Sequence, residues 1–98
     1  MTSQTPRITI IGLGLIGGSV AKALHKAGGF HITAFDTDNA ALEYAAQERF
    51  IHQDAASLED AVKEADIVLL AVPPGKMEAV LQNIAPHLKT GCIVTDAC

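Results

Sequence analysis

Residues 11–19 read Ile-Gly-Leu-Gly-Leu-Ile-Gly-Gly-Ser, and three of their glycines, Gly12, Gly14 and Gly17, have the spacing G-x-G-x-x-G. The spacing alone is weak evidence, because any tight turn between a strand and a helix favours glycine. Its meaning depends on the elements that flank it and on whether an acidic residue follows at a suitable distance.

The glycines are flanked by a strand-like and a helix-like segment. Residues 7–12 (RITIIG) are β-branched and apolar, which predicts a short strand. Residues 15–27 show helical periodicity and are followed by Gly28 and Gly29, which predicts a helix that ends there. The apolar face of this helix is predicted to carry Ile16, Val20, Ala23, Leu24 and Ala27.

The rest of the chain continues to alternate between strand-like and helix-like segments. Further strands are predicted at residues 31–36, 50–52, 67–72 and 92–95. Helices are predicted after Asp38, from Ser57 through Ala65 and after Gly75, with a break near Pro86. Their inner faces are predicted to carry Leu42, Ala45, Ala46, Leu58, Ala61, Val62, Met77, Val80, Leu81, Ile84 and Leu88. This alternation predicts an α/β fold of Rossmann type, a doubly wound parallel sheet of about five strands in the order 3-2-1-4-5.

Composition limits the classes of function that the chain can serve. Its 98 residues suffice for one domain, and its net charge of −4 disfavours nucleic acid or an anionic membrane as a partner. The N-terminus lacks the apolar segment of a signal peptide, so we expect a cytoplasmic protein. Cys92 and Cys98 are too few for a disulfide framework, Cys92 is expected to be a small buried side chain, and no metal site is predicted.

In the predicted strand–turn–helix, the glycine loop is suited to a pyrophosphate. Gly12 permits the tight turn, Gly14 lets the pyrophosphate approach the backbone, and Gly17 lets the helix pack closely on the strand. The N–H groups near Leu15 and Ile16 have no partners within the helix and can face an anion at its positive end. These five residues are therefore predicted to bind a dinucleotide.

Asp36 supports this interpretation and predicts the choice of cofactor. It ends the second predicted strand, 24 positions after Gly12, where a carboxylate can accept hydrogen bonds from the adenosine ribose. No Lys or Arg lies between Lys26 and Arg49, so a 2′-phosphate would meet a carboxylate instead. Two unit charges about 4 Å apart repel by about 4 kcal/mol at an effective dielectric near 20, roughly a thousandfold in affinity. The expected cofactor is NAD.

Four stretches, ITIIGLGLIGGSVAKAL, AFDTD, ADIVLLAVPP and IVTDAC, closely resemble the nucleotide-binding half of prephenate and arogenate dehydrogenases. The resemblance implies an NAD(P)-linked oxidative decarboxylation of prephenate to 4-hydroxyphenylpyruvate, in the biosynthesis of the aromatic amino acid tyrosine. It places Leu15 and Ile16 under the pyrophosphate and Asp36 on the ribose. It also places Ala71, Val72 and Pro73 beside the cofactor.

The same resemblance implies that the chain is the N-terminal fragment of a longer enzyme, truncated before a helical second domain. In this family that domain carries the substrate-binding arginine and forms most of the homodimer contacts, and the catalytic histidine also lies downstream. None of the four histidines here, His25, His31, His52 and His87, lies in the matching motif. No catalytic residue is therefore predicted within residues 1–98, and Lys76 and Glu78 are interpreted as an exposed helix face.

Other functions fit the same residues. An arogenate dehydrogenase, or another dehydrogenase acting on a β-hydroxyacid or an imine, would use the same cofactor loop. A module that senses NAD(H) without catalysis is the alternative of another class, since a fold does not fix chemistry. The small-molecule substrate, prephenate or arogenate, is not decided by these residues.

Overall fold

The computed structural model describes residues 5–97, and these form a parallel sheet flanked by helices. The strands within that range are β1 Arg7–Ile11, β2 His31–Phe35, β3 Gln53–Asp54, β4 Ile67–Leu70 and β5 Ile93–Asp96. They are arranged in the order β3-β2-β1-β4-β5, with parallel pairing throughout. The helices are α1 Leu15–Ala27, α2 Asn39–Gln47, α3 Leu58–Val62 and α4 Pro74–Ile84, which continues into a 3-10 turn, Ala85–His87. The predicted fold class and strand order are confirmed.

Apolar side chains cover both faces of the sheet. On β1, Ile8 and Ile10 enter one core cluster, whereas Ile11 enters the other. The first cluster receives Leu42 and Ala45 from α2, and the second receives Ile84 from α4. Strands buried on both sides explain the continuous apolar runs of the sequence, since helices cover each face of a doubly wound sheet.

Polar groups fix the helices and strand ends onto this core. Asp38 caps α2 by accepting a hydrogen bond from the N–H of Ala40 (3.0 Å), as the sequence predicts. Ser57 caps α3 in the same way, accepting from the N–H of Asp60 at 3.1 Å. The buried Thr9 hydroxyl donates to the carbonyl of Ala61, which joins α3 to β1.

The prediction for the third strand is wrong in position. Residues 50–52 were expected to form it, but the ladder to β2 is made by Gln53 and Asp54. Phe50 and Ile51 are both buried in the same core cluster, whereas strand residues alternate between faces. Their apolar character therefore reflects burial in the connection before the strand. Only the N–H of His52, which donates to the carbonyl of Ile32 (2.8 Å), begins the pairing.

The predicted inner face of α1 is confirmed at Val20 and Leu24 but is wrong at its other three positions. Gly17 and Ala21 are the buried positions, and Val20 and Leu24 pack beside them. Ile16, Ala23 and Ala27 are exposed. The smallest residues face the sheet because the helix approaches the end of β1 at van der Waals distance, a constraint that hydrophobic periodicity does not contain.

Smaller corrections concern the other helices and the strand ends. Ala46 of α2 and Leu81 of α4 are exposed instead of inward-facing, and Cys92 is only partly buried. The third helix ends at Val62 and not at Ala65, because the chain turns there to enter β4. Strands β1, β2 and β4 end one or two residues before the predicted limits, and β5 begins one residue after its predicted start. Cys98 lies outside the described residues.

Candidate functional site

The loop between β1 and α1 requires glycine at two positions for steric reasons. Gly12 has φ of +101°, and a Cβ there would lie 2.4 Å from the carbonyl oxygen of Ala71. Its N–H donates to the carbonyl of Phe35 at 2.8 Å, which fixes the start of the loop against the end of β2. A Cβ on Gly17 would lie 1.8 Å from the carbonyl oxygen of Gly12. The two glycines thus allow close contact between helix, loop and β4, as the spacing predicts.

Gly14 differs, because its missing side chain leaves open space. Its φ is −68°, which any residue can adopt, and among residues 5–97 no atom beyond its chain neighbours lies within 4 Å of the position that a Cβ would occupy. It is the N-cap of α1, and its carbonyl accepts the N–H of Gly18 at 2.8 Å. The N–H groups of Leu15, Ile16 and Gly17 precede the first bond of the helix and have no helical acceptor. A phosphate can therefore approach this backbone closely, at the positive end of the helix dipole.

Asp36 lies next to this loop and is oriented by two backbone groups. One carboxylate oxygen accepts the N–H of Leu13 at 2.6 Å, and the other accepts the N–H of Asp38 at 2.8 Å. A carboxylate offers about four acceptor sites, so these two bonds leave capacity for a diol. The sequence predicts the position of Asp36 but not its bond to Leu13, which couples the acidic residue to the glycine loop.

A cleft of about 380 Å³ opens at the carboxyl ends of β1, β2 and β4, where Rossmann-type sheets bind ligands. Of the predicted site residues it brings together Gly12, Gly14, Asp36, Ala71, Val72 and Pro73. Leu15 and Ile16 lie outside it and line a neighbouring apolar groove that also contains Gly14 and Ala97. Gly17 lies beneath the loop, against Gly12.

Sequence reasoning missed several residues of the cleft. Lys76 is exposed on α4, as the sequence predicts, but it also lines the cleft together with Asp36. Thr37, directly after Asp36, lines it too. The walls also include Phe35, Leu58 and Val80, which are apolar. One signal was available: a helix that begins at Pro74, right after β4, puts Lys76 in its first turn at the same edge of the sheet.

The histidines lie away from the cleft. The rings of His25 and His31 each lie 5.3 Å from the ring of His52, at the amino ends of the strands. His87 lies 3.7 Å from the carboxylate of Glu59. Among residues 5–97, no group of three or more His, Cys, Asp or Glu side chains is arranged to hold a metal ion. No helix in that range is long and apolar enough to cross a membrane.

The fold and the cleft define a dinucleotide-binding domain of Rossmann type. Residues 7–98 match the model of one family, described as NADP oxidoreductase coenzyme F420-dependent. The chain belongs to that family of oxidoreductases.

Similar proteins include dehydrogenases of the group that the sequence resembles. The chain is 42% identical to a prephenate dehydrogenase of Lactococcus lactis over 93% of its length, which is 26% of that protein. It superimposes on Synechocystis arogenate dehydrogenase with a TM-score of 0.87 and 28% identity, over 94% of this chain and 32% of that one. It also superimposes on prephenate dehydrogenase from A. aeolicus, in complex with hydroxyphenyl propionate and NAD+. That TM-score is 0.85 and the identity is 25%, over 98% of this chain and 34% of that one. The chain thus spans about a quarter to a third of the length of these relatives.

Proposed function

We propose that this chain is the NAD-binding part of a prephenate dehydrogenase, which converts prephenate to 4-hydroxyphenylpyruvate in tyrosine biosynthesis. The observation that carries the proposal is the cleft in which the glycine loop and Asp36 meet, in a chain 42% identical to a prephenate dehydrogenase. In this proposal residues 1–98 form the N-terminal domain of a longer enzyme. A cytoplasmic location and a homodimer formed through a second domain are further parts of it, and these rest on the resemblance.

The residues of the cleft fit NAD. The N–H groups of Leu15, Ile16 and Gly17 at the start of α1 would be directed at the oxygens of the diphosphate. Gly12, whose own N–H donates to Phe35, would set the shape of the loop that holds it. The open space at Gly14 supports this, because a Cβ there would occupy the space that the phosphates need. NAD, when bound, supplies the acceptor for a hydride from the carbinol carbon of the substrate.

The other residues would bind and orient the two ends of the nucleotide. The carboxylate of Asp36, fixed by the N–H groups of Leu13 and Asp38, would accept hydrogen bonds from the ribose hydroxyls. Ala71, Val72 and Pro73 would form the wall beside the cofactor at the end of β4. This division of roles limits the part played by the chain to binding and positioning.

The family description names NADP, whereas we propose NAD. Asp36 supports NAD, because its carboxylate would lie close to a 2′-phosphate and repel it. Calorimetric titration of the chain with NAD and with NADP tests the proposal. We expect NAD to bind more tightly, and equal affinities would contradict this choice of cofactor. Failure to bind either nucleotide would overturn the proposed function as a whole.

Arogenate is the second candidate substrate. The structural similarity to Synechocystis arogenate dehydrogenase supports it. Both substrates would use the same cofactor cleft, and the groups that distinguish their side chains would lie in a second domain. A longer protein containing this chain, assayed with each substrate, distinguishes the two candidates.

A further inference from the structure

Lys76 provides a positive charge in the same cleft as Asp36. The cleft residues within the described range include these two charged side chains, and the rest are apolar or uncharged. Lys76 lies in the first turn of α4, where its N–H donates to the carbonyl of Pro73 at 2.9 Å. Its position at the edge of the cleft is therefore set by the backbone of the helix.

The ammonium group of Lys76 has no protein partner within residues 5–97. The ion pairs formed by the other lysines there join Lys63 to Asp60 and Lys89 to Asp66, and Lys22 lies over the rings of Tyr44 and Phe50. The two oxygens of Asp36 are engaged with backbone N–H groups instead. An unpaired cation is thus available to a ligand in the cleft.

The lining of the two neighbouring depressions indicates which part of a dinucleotide Lys76 would meet. Lys76 shares its cleft with Phe35, Asp36 and Thr37, at the end of β2 where the adenosine ribose is expected. The groove that contains Leu15 and Ile16, where the diphosphate would meet the start of α1, does not include Lys76. Lys76 therefore lies in the cleft that contains Asp36, which Gly12 and Gly14 of the glycine loop also line.

We propose that Lys76 is a specificity-determining residue that reduces the exclusion of a 2′-phosphate by Asp36. This inference rests on the proposed function. A carboxylate alone would discriminate against NADP by roughly a thousandfold, whereas a cation in the same cleft attracts the same phosphate and offsets part of that repulsion. The chain then binds NAD more tightly than NADP, but by a smaller factor than Asp36 alone would impose.

The test compares Lys76→Met with Lys26→Met in calorimetric titrations of the whole chain with NAD and NADP. Lys26 is an exposed lysine in the last turn of α1, so its replacement makes the same change in net charge away from the cleft. Lys76→Met is expected to weaken the binding of NADP about tenfold more than the binding of NAD. A tenfold change is the size of one screened charge interaction near a surface. Lys26→Met should leave the ratio unchanged, and Lys76→Arg should largely preserve it.

Other outcomes would overturn the assignment. An equal loss of affinity for both nucleotides in Lys76→Met would indicate that the lysine contacts the diphosphate. No loss of affinity for either nucleotide would show that the lysine does not contribute to the site. The same shift in ratio for Lys26→Met would show an effect of net charge only. These results differ from the failure of the proposed function, in which the unmodified chain would bind neither nucleotide.

Discussion

Asp36 has two roles that a substitution will change together. Its carboxylate accepts the N–H of Leu13, within the glycine loop, and also the N–H of Asp38, at the start of α2. The charge that is proposed to select the ribose therefore also holds the loop against β2. Removing the carboxylate leaves two backbone N–H groups without their acceptor. This lowers the free energy of unfolding by about 1–3 kcal/mol where water does not replace the carboxylate.

Asp36→Ala is expected to narrow the difference between NAD and NADP affinity by at least tenfold. The reason is electrostatic, since a 2′-phosphate would no longer face a carboxylate. Titration of both nucleotides measures the ratio. Asp38→Ser is the matched control, because it removes one negative charge two residues away while a serine can still cap α2. An equal narrowing in the control would show that Asp36 has no specific role.

Gly14 and Gly17 are expected to fail in different ways when a side chain is added. Gly14→Val should fold and lose NAD binding, because φ is −68° and the new atoms would enter only the proposed phosphate space. Gly17→Ala should lower the free energy of unfolding by about 1–3 kcal/mol or more, since its Cβ would overlap the carbonyl of Gly12. Denaturant unfolding and NAD titration of both variants separate the effects. Normal NAD binding by Gly14→Val would show that the loop is only a turn between β1 and α1 and does not bind the phosphates.

At the scale of elements, the sequence predicts what depends on local pattern and misses what depends on packing. The alternation of segments predicts a parallel, doubly wound sheet, and the dinucleotide fingerprint after β1 favours the strand order of the Rossmann fold. The inner face of α1 could not be predicted from local pattern, because the close approach of the helix at Gly17 selects small residues over the apolar Ile16. Lys76 was missed for a related reason: an exposed side chain at a helix start gains its role only from the neighbouring strand end.

The amino ends of the strands carry a cluster formed by His25, His31 and His52. His52 accepts the N–H of Ile32 through its Nδ1 at 3.0 Å, and its ring stacks on that of His31. The Nδ1 atom of His31 is buried and has no hydrogen-bond partner among residues 5–97. Burial, with the nearby positive charge of Arg7 and the ring of His52, lowers the pKa of His31. Neutral His31 is therefore the form that fits the folded chain.

We expect the free energy of unfolding to fall as the pH decreases through about 6.5, the ordinary pKa of histidine. Below that pH the unfolded chain binds a proton at His31 that the folded chain binds only at lower pH, so acid favours unfolding. Urea denaturation at pH 8 and pH 5.5 measures the loss. His31→Gln should show a smaller loss, whereas His87→Gln, outside the cluster, should keep the full loss. A loss unchanged in His31→Gln would assign the effect to other groups.

At the scale of the whole molecule, the sheet separates the cofactor cleft from the histidines. The cleft lies at the carboxyl ends of the strands, and the three clustered histidines lie at their amino ends. His87 is paired with Glu59 and does not line the cleft either. The described residues thus provide a place for the nucleotide without a histidine beside it. The relatives are three to four times longer than this chain, so in the proposed enzyme the catalytic groups would lie outside residues 1–98.

Because the histidines are separated from the cofactor cleft, the 98-residue chain should bind NAD and turn over neither prephenate nor arogenate. Hydride transfer requires the reacting carbon to be held close to the nicotinamide, with a base within reach of the substrate hydroxyl. A dicarboxylate also needs cationic groups, and Lys76, the cation that lines the described cleft, is proposed to act on the nucleotide.

The measurement is NADH formation by the purified chain, followed by absorbance with each substrate at several protein concentrations. Nucleotide titration on the same sample is the positive control, because binding without turnover separates a missing catalytic group from a failure to fold. A longer protein that includes the second domain should produce NADH under the same conditions. Turnover by the 98-residue chain that scales with its concentration, and that is lost in Gly14→Val, would contradict the prediction. It would then require a base among His25, His31, His52 and His87, and single His→Gln variants would identify it.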